Sequence, residues 1–214
     1  GASPDWNLNQ LRNCSENRDI LSCAVVKSNA YGHGVREIAS LLPSADWFAV
    51  NSLDEGLELR ELGVDRPVLL LGHVLLGRLE EAVKAGLRLT VYNVETLQRL
   101  EQILEKGKTA RVHVKIETGT GRQGVLPEKV MDFCERAKKT SGVVLEGIST
   151  HFANIEDTLN HDYAERQLSV FKGVLDELEE HSLRPPVVHT ACTAAAILFP
   201  RTHFNMLRTG IGVY

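Results

Sequence analysis

The sequence predicts an α/β fold, a (β/α)₈ barrel of the TIM type, on three observations. Eight short apolar runs punctuate the chain, an amphipathic stretch separates most successive pairs, and polar or glycine residues collect where the runs end. Parallel strands covered on both faces read as such runs, and eight βα units fit the roughly 200 to 250 residues that a barrel needs. A doubly wound open sheet is the alternative. Against it, no GxGxxG follows the first run, and the polar residues sit at many strand ends instead of at one crevice.

In chain order, Leu8 to Cys14 carries a brief helical pattern. Leu21 to Val26 is the first strand, short, apolar and β-branched at its end, and Gly32 and Gly34 mark the turn behind it. Val35 to Leu42 has helical spacing, Asp46 to Asn51 reads as the second strand, and Leu53 to Leu62 is amphipathic with Gly63 as its stop. Pro67 to Leu71 is the third strand, Gly77 to Ala85 a helix, Leu87 to Tyr92 the fourth strand, and Val94 to Lys106 a helix ended by Gly107. Arg111 to Glu117 alternates as the fifth strand. Pro127 to Thr140 is a helix with proline at its start, where the missing amide would be unpaired anyway. Val143 to Ile148 makes the sixth strand, Asp162 to His181 a long charged helix, and Pro186 to Thr190 the seventh strand. Thr193 to Leu198 is a turn or two of helix, and Phe204 to Arg208 is the eighth strand.

With 214 residues, 43% of them hydrophobic, and a net charge of -4, residues 1 to 214 read as one globular domain with enough apolar surface for a core. A full barrel would continue into an eighth helix, whereas only Thr209 to Tyr214 follow the eighth strand. One ordinary domain and a large domain cut from a longer protein are both open readings, and Gly1 to Pro4 reads as a trimmed end that carries no information. Mild acidity offers no basic patch for nucleic acid, and no apolar run approaches the length of a membrane span. Cys14, Cys23, Cys134 and Cys192 are widely spaced without a CxxC pair, which suits reduced thiols. With no signal peptide, the expected location is the cytoplasm and the expected partner a small molecule.

The residues that can carry chemistry stand at strand ends. Lys27 closes the first strand; a desolvated amine there can be a nucleophile or base and can form a Schiff base with a carbonyl, although a lysine snorkelling from a strand end is the plainer alternative. Arg122 lies in a glycine-rich loop behind the fifth strand and offers a planar fork for a carboxylate or a phenolate-like oxygen. His151 follows the sixth strand, where a histidine either positions a ligand or bonds to backbone. Thr193 opens the small-residue helix after the seventh strand, in the region where barrels commonly bind phosphate. His161, ten residues after His151, finds no suitably spaced third ligand, so no metal is expected and His161 reads as a solvated histidine at a helix start.

Five segments together resemble motifs of the alanine racemase family, in that family's order: AVVKSNAYGHG (Ala24 to Gly34), KIETGTGRQG (Lys115 to Gly124), STHFA (Ser149 to Ala153), VVHTACTAAA (Val187 to Ala196) and NMLRTGIGVY (Asn205 to Tyr214). The resemblance implies pyridoxal 5'-phosphate as cofactor, Lys27 as the lysine that holds it in a Schiff base, and Tyr31, Thr193 and the backbone of Gly210 and Ile211 as its phosphate ligands. It implies that Arg122 contacts the ring oxygen and the substrate carboxylate and is positioned by a carbamylated Lys115. His151 would bond the arginine under the cofactor, His189 would support it from below, and Arg208 would face the pyridine nitrogen. Arginine cannot be deprotonated and can only donate there, so it favours a neutral ring and a weaker electron sink, which disfavours transamination and leaves proton removal and return at Cα. Three departures stand out: Glu117 for an aspartate, Ser149 for a tyrosine and Cys192 for an asparagine.

The resemblance further implies racemisation of a small amino acid, L-alanine to D-alanine first, in D-alanine supply for peptidoglycan precursors. It implies a homodimer for the full-length protein, in which a second, β-rich domain of the partner subunit contributes the tyrosine base for the opposite face. On that expectation the 214 residues are an incomplete enzyme. Two other classes stay open: a single-domain barrel that carries pyridoxal phosphate without turnover, and a barrel-type decarboxylase. The DTGxGRxG-like element argues against the former and the absence of a GGG run against the latter.

Overall fold

A computed structural model describes residues 2–156 and 160–214, and within them the barrel is present. The strands are β1 (Leu21–Val25), β2 (Trp47–Val50), β3 (Val68–Leu70), β4 (Arg88–Val91), β5 (Ala110–Lys115), β6 (Val143–Ser149), β7 (Val187–His189) and β8 (Met206–Thr209). They form one parallel sheet in the order β7-β6-β5-β4-β3-β2-β1-β8, so that the chain winds once round a ring. The remaining seam, between β7 and β8, is bridged by Asn205. Its side-chain oxygen accepts from Val188 N at 2.7 Å, its side-chain nitrogen donates to Pro186 O at 2.6 Å, and its own amide donates to Val188 O at 3.3 Å. One amide side chain thus satisfies backbone groups that a regular ladder would otherwise pair.

Among the described residues, eight right-handed α-helices lie outside the strands: α1 (Pro4–Asn13), α2 (Val35–Ser40), α3 (Leu53–Glu61), α4 (Leu79–Lys84), α5 (Val94–Ile103), α6 (Val130–Lys139), α7 (Asp162–Glu180) and α8 (Thr193–Leu198). The first helix is longer than its sequence pattern suggests. Ser3 accepts from Trp6 N and Pro4 opens the helix, so residues expected to be uninformative are its cap. In contrast, α5 stops at Ile103, short of Gly107, and a 3₁₀ turn at Pro127–Lys129 precedes α6.

Strand alternation divides the side chains between two environments. The outward residues, such as Ala24, Phe48, Leu70, Leu89 and Val114, join the large core beneath the helices, while Cys23, Val25, Trp47, Ala49, Leu69 and Met206 fill the barrel. The alternation of Arg111, His113 and Lys115 in β5 therefore has a different cause from an edge strand facing water. His113 and Lys115 are buried inside the barrel. Gly147 of β6, opposite His113 at a register shift, leaves the space that the imidazole occupies, since a Cβ there would collide with the ring.

The chain leaves β1 in an uncommon conformation. Where the sequence suggests a plain glycine turn, Ser28, Asn29, Ala30 and Tyr31 all have φ between 53 and 55°, a single left-handed helical turn over Lys27–Tyr31 that ends at Gly32 with φ 91°. Left-handed geometry costs L-residues roughly 1–2 kcal/mol each, so contacts beyond the turn must hold it. Asn29 Oδ1 accepts from Val35 N at 2.8 Å, the Tyr214 hydroxyl donates to Val25 O at 3.2 Å, and the Tyr214 ring stacks on His33 with centroids 4.7 Å apart.

Candidate active site

At the carboxyl ends of the strands lies a cavity of about 680 Å³, lined by residues from seven of the expected positions: Lys27, Tyr31, Arg122, His151, Thr193, Arg208 and Gly210. Lys115 and Ile211 line it as well. These nine residues named from the sequence are thus brought to one cavity, whereas His189 does not line it. Nor does His161: its ring packs edge-on against Phe199 at 4.6 Å, beside a second apolar cluster, instead of standing free in solvent.

Lys27 is half-buried, with its amine 6.0 Å from the centre of the Tyr31 ring. Burial pushes the Tyr31 phenol up, which keeps it a hydroxyl donor at neutral pH. Thr193 Oγ1 accepts from Gly210 N at 3.1 Å and Gly212 N at 3.3 Å, leaving its own proton free to donate toward an anion. Both glycines are needed for this closeness. A Cβ on Gly210 would meet the Tyr31 hydroxyl, and one on Gly212 would meet the Thr193 methyl.

Arg208 is 6% exposed, on the inner face of β8. Its Nη2 donates to Thr150 O at 3.0 Å and Thr190 O at 3.2 Å, which ties the carbonyls behind β6 and β7 to β8, while its buried Nε has no partner. His189, expected beneath this arginine and under the influence of its charge, has Nε2 2.8 Å from His113, whose other nitrogen is 3.2 Å from Glu146. Glu146 also pairs with Arg88 and Arg111 at the amino ends of the strands. With the carboxylate fixing His113 as a donor from Nε2, His113 Nδ1 accepts from His189 Nε2, and His189 Nδ1 is left as a bare buried acceptor. Burial holds both rings below the usual histidine range. The sequence reading missed His113, Glu146 and Thr150; the polar alternation in β5 was the signal available for the first.

Lys115 is 6% exposed, and burial followed by the charges of Arg208 and Arg122 drives its pKa far below the ordinary lysine value. Glu117 does little to oppose this, because its carboxylate accepts the amides of Gly119, Thr120 and Arg122 and shapes the glycine loop. Glutamate in place of aspartate thus still organises the loop that presents Arg122. Gln123 in the same loop donates to Leu71 O at 2.9 Å and anchors it across the barrel mouth to the end of β3.

The His151 backbone carbonyl accepts from Thr120 Oγ1 at 2.9 Å and Gln167 Nε2 at 3.0 Å. Its imidazole, beside Arg208, Lys115, Arg122 and Lys27, is pushed down to about 3, with burial the largest cause. A proton-binding site weakened on folding makes the unfolded chain the better proton acceptor between about pH 3 and the ordinary value of 6.5, so stability rises with pH across that window and is lost on acidification. The expected contribution lost by pH 5 is about 2 kcal/mol for His151 alone. In melting curves from pH 7 to 4, His151→Gln should flatten the decline; an unchanged slope would show that His151 is protonated as readily in the fold as outside it.

The class defined by this fold and cavity is a (β/α)₈ barrel with a cavity at the carboxyl ends of its strands, lined by lysine, arginine and hydroxyl side chains. Within that class, the chain belongs to the alanine racemase family: the family's "Alanine racemase, N-terminal domain" matches residues 5–214. An alanine racemase of Methanococcus maripaludis is 36% identical over 212 residues, 97% of this chain and 56% of that protein. Among solved structures, alanine racemase from Clostridium difficile 630 in complex with cycloserine superposes with a TM-score of 0.93 at 36% identity, over 99% of this chain and 59% of that one. A histidine racemase from Leuconostoc mesenteroides reaches 0.89 at 28% identity, over 99% and 57%. The chain thus spans a little over half the length of the relatives it matches. Pyridoxal 5'-phosphate is the cofactor of the family. Two features of this structure fit that group: Arg208 Nε is an unspent donor for a ring nitrogen, and the Tyr31 and Thr193 hydroxyls are packed on glycine backbone where a phosphate can be held.

Proposed function

We propose that this chain is the cofactor barrel of a pyridoxal-phosphate-dependent amino-acid racemase, with L-alanine and D-alanine the first substrate and product to test. The observation that carries the reading is the convergence of Lys27, Arg122, His151 and Arg208 on one cavity, with Arg208 Nε unspent. When bound, the cofactor supplies a covalent hold on the amino group and withdraws electrons from the Cα–H bond. Lys27 is assigned as its tether and as proton carrier on one face, Tyr31 and Thr193 with the Gly210 and Ile211 backbone as its phosphate ligands, and Arg208 as the donor to its ring nitrogen. Arg122 is assigned to the ring oxygen and the substrate carboxylate, with His151 beside it. Lys115, buried among cations, suits a carbamate: its neutral amine adds to carbon dioxide, loses a proton, and becomes an anion that pairs with Arg122.

Racemisation needs proton carriers on both faces of a planar carbon. Tyr31 is the tyrosine lining the cavity among the described residues, and it is committed to the phosphate. In this reading the opposite-face carrier comes from the partner subunit of a homodimer of the longer protein. A histidine racemase shares the barrel, so the barrel by itself leaves the substrate side chain open. The test of the assignment is borohydride treatment of the pyridoxal-phosphate-loaded chain followed by peptide mapping. The label is expected on Lys27; a label on Lys115 or on a surface lysine would overturn it.

A further inference from the structure

We propose that Glu55 of α3 is a positioning residue for Lys27, holding the left-handed turn that aims the lysine through a direct bond to the Ser28 amide. This rests on reading Lys27 as the cofactor lysine. Glu55 is part of a capping box, and that duty is fulfilled locally: its amide donates to Ser52 Oγ at 3.3 Å while its Oε2 accepts from Ser52 N at 3.0 Å. The same Oε2 also accepts from Asn51 N at 2.7 Å. Its other oxygen, Oε1, leaves the helix altogether and accepts from Ser28 N at 2.5 Å, a residue 27 positions earlier. A helix cap has no need of that third amide.

The bond acts on Lys27 through covalent geometry. The Ser28 amide shares a rigid peptide plane with the Lys27 carbonyl, so fixing the former sets the backbone rotation that directs the Lys27 side chain. Ser28 has φ 55°, a conformation a serine leaves readily when nothing holds it. Along the turn, Ala30 N donates to Val26 O at 2.9 Å and Gly32 N to Ser28 O at 3.0 Å, whereas the Glu55 bond holds the Ser28 amide from another element. A carboxyl group shared by amides from the ends of β1 and β2 joins two barrel strands at the point where the lysine must be rigid.

The control is Ser52→Ala, which removes the cap hydroxyl and leaves all three amides on the carboxylate. Glu55→Ala removes the three bonds to the carboxylate and leaves the backbone bond to Ser52 Oγ, and Glu55→Gln keeps the shape but offers one acceptor oxygen and turns a carboxamide NH2 toward amide donors. Two readouts are taken: exchange of the Ser28 amide in the cofactor-free chain, and the rate at which the chain captures pyridoxal 5'-phosphate, followed by the near-visible band. Both Glu55 variants are expected to speed Ser28 exchange and slow capture by roughly tenfold or more, while Ser52→Ala stays close to wild type. If Glu55→Ala fails to fold, Glu55→Gln carries the comparison. Equal behaviour of the Glu55 and Ser52 variants, or faster Ser28 exchange with capture unchanged, would overturn the proposal. Failure of the unaltered chain to capture the cofactor would overturn the reading of Lys27 instead, before any substitution is compared.

Discussion

Loaded with pyridoxal 5'-phosphate and incubated with L-alanine in deuterated water, this chain is expected to place deuterium at Cα faster than it produces D-alanine, by about 10² to 10⁴. The factor is the usual worth of one positioned acid or base. Lys27 and the groups assigned to the cofactor all line one cavity within the barrel, so capture and one-face exchange need nothing further. Inversion needs a proton delivered to the other face, and Tyr31, packed against Gly210, is already assigned to the phosphate in the proposed reading. Both products are followed in one sample, by mass for the label and by chiral chromatography for the enantiomer. Inversion keeping pace with exchange would mean that a base within residues 1 to 214 serves the second face, with Tyr31, Tyr92 and Tyr163 the first to replace.

Arg208→Glu should lower the exchange rate by about 10² to 10³, the usual cost of one preorganised donor at a reacting system, and should raise the share of turnovers that end in transamination. The two effects have separate causes. Arginine at this position can only donate, whereas a carboxylate accepts and favours a protonated ring, the stronger electron sink. A stability cost accompanies them. Arg208 holds the carbonyls of Thr150 and Thr190, and losing those charge-assisted bonds is worth about 2 to 3 kcal/mol, offset in part because Lys115 loses a cationic neighbour. Pyruvate formation and the loss of exchange are measured on the same preparation, with a melting curve to confirm folding. Unchanged products and an unchanged visible spectrum would make Arg208 a structural tie alone.

The fold was legible because its signals are local. Eight apolar runs with amphipathic stretches between them fix eight strands joined by helices, and the barrel follows from winding parallel strands in sequence order. The site residues were legible for a related reason: Lys27, Arg122, His151, Thr193 and Arg208 all lie at or just beyond strand ends, and a barrel gathers those ends into one mouth. The helix boundaries were less so. Ser3 capping and the early stop of α5 depend on single backbone hydrogen bonds that periodicity does not report.

What the sequence determined by itself is therefore the number and order of the elements and the kinds of side chain at their ends. Tertiary structure alone decided which groups share an environment. The polar face of β5 turned inward, so that His113 met Glu146 of β6 and His189 of β7, and Asn205 and Arg208 came to bridge the seam between β7 and β8. The four left-handed residues after Lys27 are set the same way, since serine, asparagine, alanine and tyrosine have no local reason to adopt φ near 55° in succession. Periodicity and turn chemistry act over a few residues and are written in the chain. A carboxylate reaching Ser28 from Glu55, or two carbonyls converging on Arg208, exist only once closure of the barrel has brought distant backbone within hydrogen-bond reach and, at the buried arginine, removed the competing water.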